Sequence, residues 1–160
     1  LLRWFGGEIV AVSVQMARPR YDSVKAGDTP CWTSMAISLR YADQAVASLL
    51  ASWDSDFINP IERVEICGDG GEIVVDNVIS RATLMRRDNQ DVEEYRPSIF
   101  RMEQLAFDGT FAPRMAAFVR DLLAGRSPKP DGRDGLQALR VVDAIVRSWE
   151  EKREMEVRLD

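Results

Sequence analysis

The chain has 160 residues, 46% of them hydrophobic, with a formal charge of -5 and a pI near 4.9. That length and balance support a folded core and exclude disorder, while an acidic surface argues against a nucleic-acid partner. No apolar run approaches the roughly 20 residues that span a bilayer and no signal peptide is visible, so no membrane partner is expected and a cytoplasmic location is. Histidine is absent, which excludes Ser–His and Cys–His nucleophilic sites and histidine-ligated zinc. No metal site is expected.

Leu1 to Gly7 reads as the tail of a helix, with Leu1, Leu2 and Phe5 on one apolar face and a glycine pair as the stop. With no initiator Met and no cap before it, this opening is expected to continue a longer protein. Ile9 to Met16 alternates strictly and predicts a strand with Val10, Val12, Val14 and Met16 on its core face. Ala17 to Pro30 breaks the pattern with two prolines, a glycine and mixed charge, and reads as a long excursion of the kind that often carries function.

Trp32 to Tyr41 predicts a second strand, with Met35, Ile37, Leu39 and Tyr41 inward and Ser34, Ala36, Ser38 and Arg40 opposite. Ala42-Asp43-Gln44 turns the chain into a third strand, Ala45 to Trp53. Arg63 to Cys67 and Glu72 to Asp76 flank Gly68-Asp69-Gly70-Gly71 and predict a hairpin. Arg81 to Arg87 adds a strand, and the polar stretch from Asp88 to Pro97 is expected to be irregular, with part of it pairing at a sheet edge.

The period then changes. Phe111, Met115, Phe118 and Leu122 recur at helical spacing up to Gly125, and Leu136, Leu139, Val142, Val146 and Trp149 stripe a second helix behind Asp134 as N-cap. Both stripes are expected to be core. Met155, Val157 and Leu159 predict a closing strand. The sum is an α+β fold: an open-faced, mostly antiparallel sheet with two helices on one face, treated as a single domain over residues 1–160. The bare face, lined by small and hydroxyl residues, is expected to meet another subunit.

Few motifs carry chemistry. Gly68-x-Gly70-Gly71 precedes a strand rather than a helix, so it is a turn and not a phosphate cradle. Asp54 and Asp56 read as a solvated loop, and Glu150 to Glu154 as a solvated charge run. Asp88 and Asp91 lack the glycine and bidentate glutamate of a calcium loop. Cys31 and Cys67 are expected to be buried or half-buried free thiols of a reducing compartment. Arg18, Arg20, Tyr21 and Lys25 form a basic cluster at the end of a strand in an acidic chain. They are the candidate contacts to a polar ligand.

Taken in order, three segments carry a family resemblance. Leu2-Arg3-Trp4-Phe5-Gly6-Gly7-Glu8-Ile9-Val10-Ala11-Val12 leads a short helix into the first strand. Val64-Glu65-Ile66-Cys67-Gly68-Asp69-Gly70-Gly71-Glu72-Ile73 forms an apolar–Gly–x–x–Gly hairpin. Asp134-Gly135-Leu136-Gln137-Ala138-Leu139-Arg140-Val141-Val142-Asp143-Ala144-Ile145-Val146-Arg147-Ser148 is a long helix near the end. The chain resembles the C-terminal domain of the glucose–fructose oxidoreductase, inositol dehydrogenase and MocA (Gfo/Idh/MocA) family over essentially its whole length. Ala42-Asp43-Gln44 departs from that family, which often has an Asn-Gly type turn here.

The resemblance implies a parent enzyme whose Rossmann domain binds NAD or NADP and which acts on a hydroxyl carbon of a sugar, inositol or related polyol. It implies that this domain covers the nicotinamide, lines the substrate pocket and carries a homo-oligomer interface on its open sheet. The family's catalytic Lys lies in the Rossmann domain and its catalytic His just before the segment matching Leu1. No catalytic or cofactor-binding residue is therefore carried onto this sequence, and the isolated chain is expected to bind no cofactor and to be inactive. The alternative is a free-standing, non-catalytic ligand- or protein-binding module of the same fold.

Overall fold

The computed structural model describes residues 1–18, 32–53, 62–77, 80–89, 91–96 and 107–158. They fall into two units, Leu1–Ser55 with Lys129–Asp160, and Asp56–Pro128.

In the first unit a short helix, α1 (Leu2–Gly6), ends at Gly7, whose φ of 79° reverses the chain in the region that favours glycine. Gly6 serves a different purpose. A Cβ there would sit 2.3 Å from the Tyr41 ring, so only a glycine lets the helix lie on that ring, and the Tyr41 hydroxyl donates to the Leu2 carbonyl at 3.2 Å. Three antiparallel strands follow, β1 (Ile9–Ala17), β2 (Ser34–Tyr41) and β3 (Val46–Ser52), with Asp43 Oδ1 accepting from the Ala45 amide in the intervening turn. The closing strand β8 (Met155–Glu156) pairs with β1 at Ala11 and Val12, giving the order β3-β2-β1-β8.

The alternation read from β1 holds from Val12 onward and fails at its start. A register shift between Ile9 and Ala11 places Ile9 opposite Tyr41 and Ala11 opposite Arg40. Such a bulge inserts one residue and resets the phase of the strand, so Ile9 rather than Val10 joins Val12, Val14, Ile37, Leu39 and Tyr41 in the core.

The long helix α3 (Gly132–Glu151) packs along β1, but not through the stripe that its sequence suggests. Leu136, Leu139, Val142 and Val146 are exposed. The packed face carries Ala144, with no exposed surface, Ser148 at 1%, and the partly buried Val141, Ile145 and Trp149. The small Ala144 and Ser148 are the residues of this face buried most completely, and the larger Val141, Ile145 and Trp149 pack around them while keeping some exposed surface.

Ser148 also joins two elements. Its hydroxyl accepts from the Val14 amide at 3.2 Å and donates to the Arg153 carbonyl at 2.7 Å, just beyond the two-residue ladder between β1 and β8. The helix starts at Asp131, not at Asp134. Asp131 Oδ1 accepts from the amides of Arg133 (2.8 Å) and Asp134 (3.1 Å), and Asp134 Oδ2 accepts from the Asp131 amide at 2.8 Å, completing a capping box.

The second unit is a meander of β4 (Arg63–Gly68), β5 (Gly71–Asp76), β6 (Arg81–Arg86) and β7 (Val92–Tyr95). Among the described residues eight strands fall into two four-stranded sheets, one in each unit, and Val92–Tyr95 is the part of the polar stretch that pairs at an edge. The glycine run makes the predicted hairpin: Gly68 pairs Gly71 across Asp69-Gly70. Gly71 has φ of 143°, and a Cβ on it would meet the Met85 carbonyl oxygen at 2.0 Å, which only glycine avoids.

One face of this sheet is apolar, through Val64, Ile66, Val75 and Leu84. The other centres on buried Asp76, which accepts from Arg63 Nη1 at 3.0 Å and Arg81 Nε at 3.0 Å across the strands. These guanidiniums, Arg81 foremost, hold the Asp76 carboxyl below its ordinary value. Cys67 is a free thiol but lies exposed, contrary to the expectation of burial, because it falls on the polar face of β4 beside Glu72.

A 3-10 turn (Phe107–Thr110) leads into α2 (Phe111–Leu123). None of the residues of α2 is buried, and Phe111, Met115, Phe118 and Leu122 stay between 40% and 60% exposed, so this stripe is not core within the described residues.

Candidate functional site

The long excursion between β1 and β2 has a rigid root. The Thr33 amide donates to the Ala17 carbonyl at 3.1 Å and the Trp53 amide to the Thr33 carbonyl at 2.8 Å, so residues 18 and 32 stand side by side at the strand ends. Arg18 lies with its guanidinium carbon 5.1 Å from the centre of the Trp32 ring. Trp32 meets Trp149 edge-to-face at 4.7 Å and 65°, and Lys152 Nζ sits 3.0 Å from the centre of the Trp149 ring.

Helix geometry makes this stack. Trp149 is on the packed face of α3, and Lys152 caps the helix in the left-handed conformation (φ 56°), which folds its side chain back over the last turn. The edge-to-face pair contributes about 0.5–1.5 kcal/mol and each exposed cation–π contact about 0.5–1 kcal/mol. Ordering an arginine side chain costs about 2 kcal/mol, so the stack biases Arg18 toward Trp32 without locking it. The result is two cations on an aromatic platform, suited to holding a polar or anionic ligand rather than to moving protons.

Of the four residues singled out in the sequence, Arg18 is in this stack; Arg20, Tyr21 and Lys25 lie outside the described residues, as do Asp54, Asp56 and Cys31. Trp32, Trp149 and Lys152 were not recognisable as a group. Trp149 reads as a core position and Lys152 as part of a charge run, and only the left-handed cap brings the lysine over the ring. The carboxylates of Asp76, Glu93 and Asp131 are all held below their ordinary values by hydrogen-bonding partners, so each stays ionised near neutrality.

The opposite face of the first sheet is a second candidate surface. Ser13, Ser38 and Ser48 align across three strands, with Gln15, Ala36 and Leu50 in the next row. Val46 and Leu50 are 78% and 79% exposed; Arg40, in one row with Val46, Ala11 and Glu156, is tied to Glu154 at 2.9 Å. The glycine cluster joins two antiparallel strands, so it leads into β5 and not into a helix N-terminus that could receive a pyrophosphate.

These features define an open-faced α+β domain. Residues 1–157 match the C-terminal alpha/beta domain of the oxidoreductase family, and the chain belongs to that Gfo/Idh/MocA family. It is 29% identical over 96 residues to myo-inositol 2-dehydrogenase of Thermotoga maritima, a match covering 60% of this chain and 28% of that protein. Its fold is similar to that of levoglucosan dehydrogenase in complex with NADH and L-sorbose (TM-score 0.83, 20% identity, 98% of this chain and 47% of that one). It is also similar to that of an NAD-binding oxidoreductase from Klebsiella pneumoniae (TM-score 0.80, 16% identity, 99% of this chain and 47% of that one). The chain therefore spans about half the length of the solved structures it matches.

Proposed function

We propose that residues 1–160 act as one substrate-binding and oligomerisation domain of an NAD(P)-dependent oxidoreductase. The parent enzyme oxidises or reduces a hydroxyl carbon of a sugar, inositol or related polyol. The carrying observation is the family match over residues 1–157, together with relatives named for inositol and levoglucosan dehydrogenation. Hydride transfer requires a positioned cofactor, and the glycine turn here offers no cradle for one, so the domain alone is inactive and the parent operates in the cytoplasm as a homo-oligomer.

In this reading Arg18, Arg20, Tyr21 and Lys25 contact the substrate, with Arg18 oriented by Trp32. The serine-lined sheet face is the contact with a second copy, because its Ser13–Ser38–Ser48 and Gln15–Ala36–Leu50 rows carry none of the charges that keep exposed sheets apart. The test is to purify the native polypeptide bearing this sequence and follow nucleotide reduction with inositol and simple sugar alcohols. Turnover with NAD or NADP by a polypeptide much heavier than 18 kDa is the expected result. A native mass near 18 kDa with no turnover overturns the proposal in favour of a free-standing binding module.

A further inference from the structure

A second basic site lies on the outer side of α3, separate from the tryptophan stack. Arg140, Arg147 and Arg158 line one cleft of about 520 Å³, together with Asp143 and Leu139. Arg140 and Arg147 are seven residues apart, which brings them to one face of the helix about 10 Å apart along its axis. Arg158 comes from the chain just after β8. Met155 and Val157 point into the core, so the strand alternation turns Arg158 outward.

The charges in the cleft do not cancel. Arg147 is occupied, donating from Nε to Asp143 Oδ2 at 2.9 Å and from Nη2 to the Glu156 carbonyl at 3.3 Å. Arg140 and Arg158 make no hydrogen bond or ion pair among the described residues. Among the described residues of the lining, three guanidiniums against one carboxylate leave a local charge of +2 in a chain whose net charge is -5. Uncompensated like charges brought together cost free energy unless an anion joins them. The planar guanidinium fork matches phosphate and carboxylate oxygens bidentately. Arg147, fixed by its two bonds, supplies a preset wall, and Leu139 supplies an apolar edge.

We propose that this cleft binds a small oxyanion, the phosphate or carboxylate group of a low-molecular-weight ligand, with Arg140 and Arg158 as the primary contacts and Arg147 positioned by Asp143. The site is independent of the dehydrogenase reading, because binding is measured on this chain without nucleotide or polyol.

The experiment titrates inorganic phosphate, and separately citrate, into the full chain by calorimetry at matched ionic strength, with chloride as the reference. Saturable one-site binding of either anion is expected; phosphate alone or citrate alone identifies the preferred group. Arg140→Gln and Arg158→Gln together should weaken it at least tenfold, while Arg87→Gln, in the β6–β7 turn of the other unit, leaves it unchanged. Circular dichroism verifies that the variants fold; if the double variant does not, the single Arg158→Gln variant carries the comparison. Binding no tighter than that of chloride, or equal loss in Arg87→Gln, overturns the site. Capture of an acidic peptide with no retention of phosphate or citrate also overturns it and makes the cleft a protein contact.

Discussion

Replacing Ser148 with alanine removes one oxygen atom and almost no volume, so it isolates the two hydrogen bonds of that hydroxyl. The Val14 amide is buried and has the Ser148 oxygen as its acceptor where the β1–β8 ladder stops. Leaving a buried donor without a partner costs about 1–3 kcal/mol. The Arg153 carbonyl lies at an exposed helix end and regains water, so its lost bond costs about 0.5–1.5 kcal/mol. The sum is about 1.5–4.5 kcal/mol, a large share of the roughly 5–15 kcal/mol typical of a domain. At about 2–4 °C per kcal/mol for a chain of this size, the thermal midpoint falls by roughly 3–18 °C. Urea unfolding followed by tryptophan fluorescence is a suitable assay, because Trp149 adjoins the mutated residue and Trp32 stacks on it. Amide exchange at Val14 should accelerate about tenfold for each 1.4 kcal/mol lost. Stability within about 0.5 kcal/mol of the parent, with Val14 exchange unchanged, would refute the assignment of Ser148 as the acceptor joining helix to strand.

Gly71→Ala forces a Cβ into the Met85 carbonyl at an unfavourable φ, so it should cost at least about 2 kcal/mol and expose the β4–β6 amides to exchange; unchanged protection there contradicts the hairpin geometry. Asp131 is lowered to about 2, first by Lys129 Nζ and then by the amides of Asp134 and Arg133. Between the ordinary carboxyl value of 3.8 and about 2 the unfolded chain binds more protons than the folded one. The stabilisation is thus complete above about pH 4 and disappears as pH falls through about 2. Circular dichroism of Asp131→Ala should show a weaker α3 at pH 6, whereas Asp131→Asn keeps the cap and loses only part of this acid sensitivity, Asp76 and Glu93 supplying the rest; a wild-type acid titration matching that of Asp131→Asn counts against the Lys129 contact. On the proposed interface, Ser38→Glu on the bare sheet face should lower the oligomeric mass measured by light scattering, and an unaltered mass excludes that face as the interface. On the proposed dehydrogenase function, Arg18→Ala should raise the KM for the polyol with little change in kcat; an unchanged KM removes Arg18 from the proposed substrate contacts.

The sequence alone determined the order and nature of nearly every element. Period-2 runs marked β1 to β6, the Gly68–Gly71 run marked a hairpin, and the change to helical spacing placed α2 and α3, because these signals are local and repeat within a few residues. It also excluded histidine chemistry outright. What the tertiary structure decided were the choices made between distant residues. A bulge at Val10 exchanged Ile9 into the core, since strand phase is set by pairing with β2 and not by β1 itself. Helix α3 carries two faces that could be buried, and the sheet selected the one with Ala144 and Ser148, because distance of approach outweighs side-chain size there. The cap is a local exception: Asp131 rather than Asp134 takes it because its carboxylate reaches the amides of Arg133 and Asp134 while Asp134 accepts from the Asp131 amide. The stack of Arg18, Trp32, Trp149 and Lys152 joins residues up to 134 positions apart, and the arginine cleft joins a helix to the chain beyond β8. Contacts of that separation leave no periodic trace in a sequence, so only the folded chain brings them together.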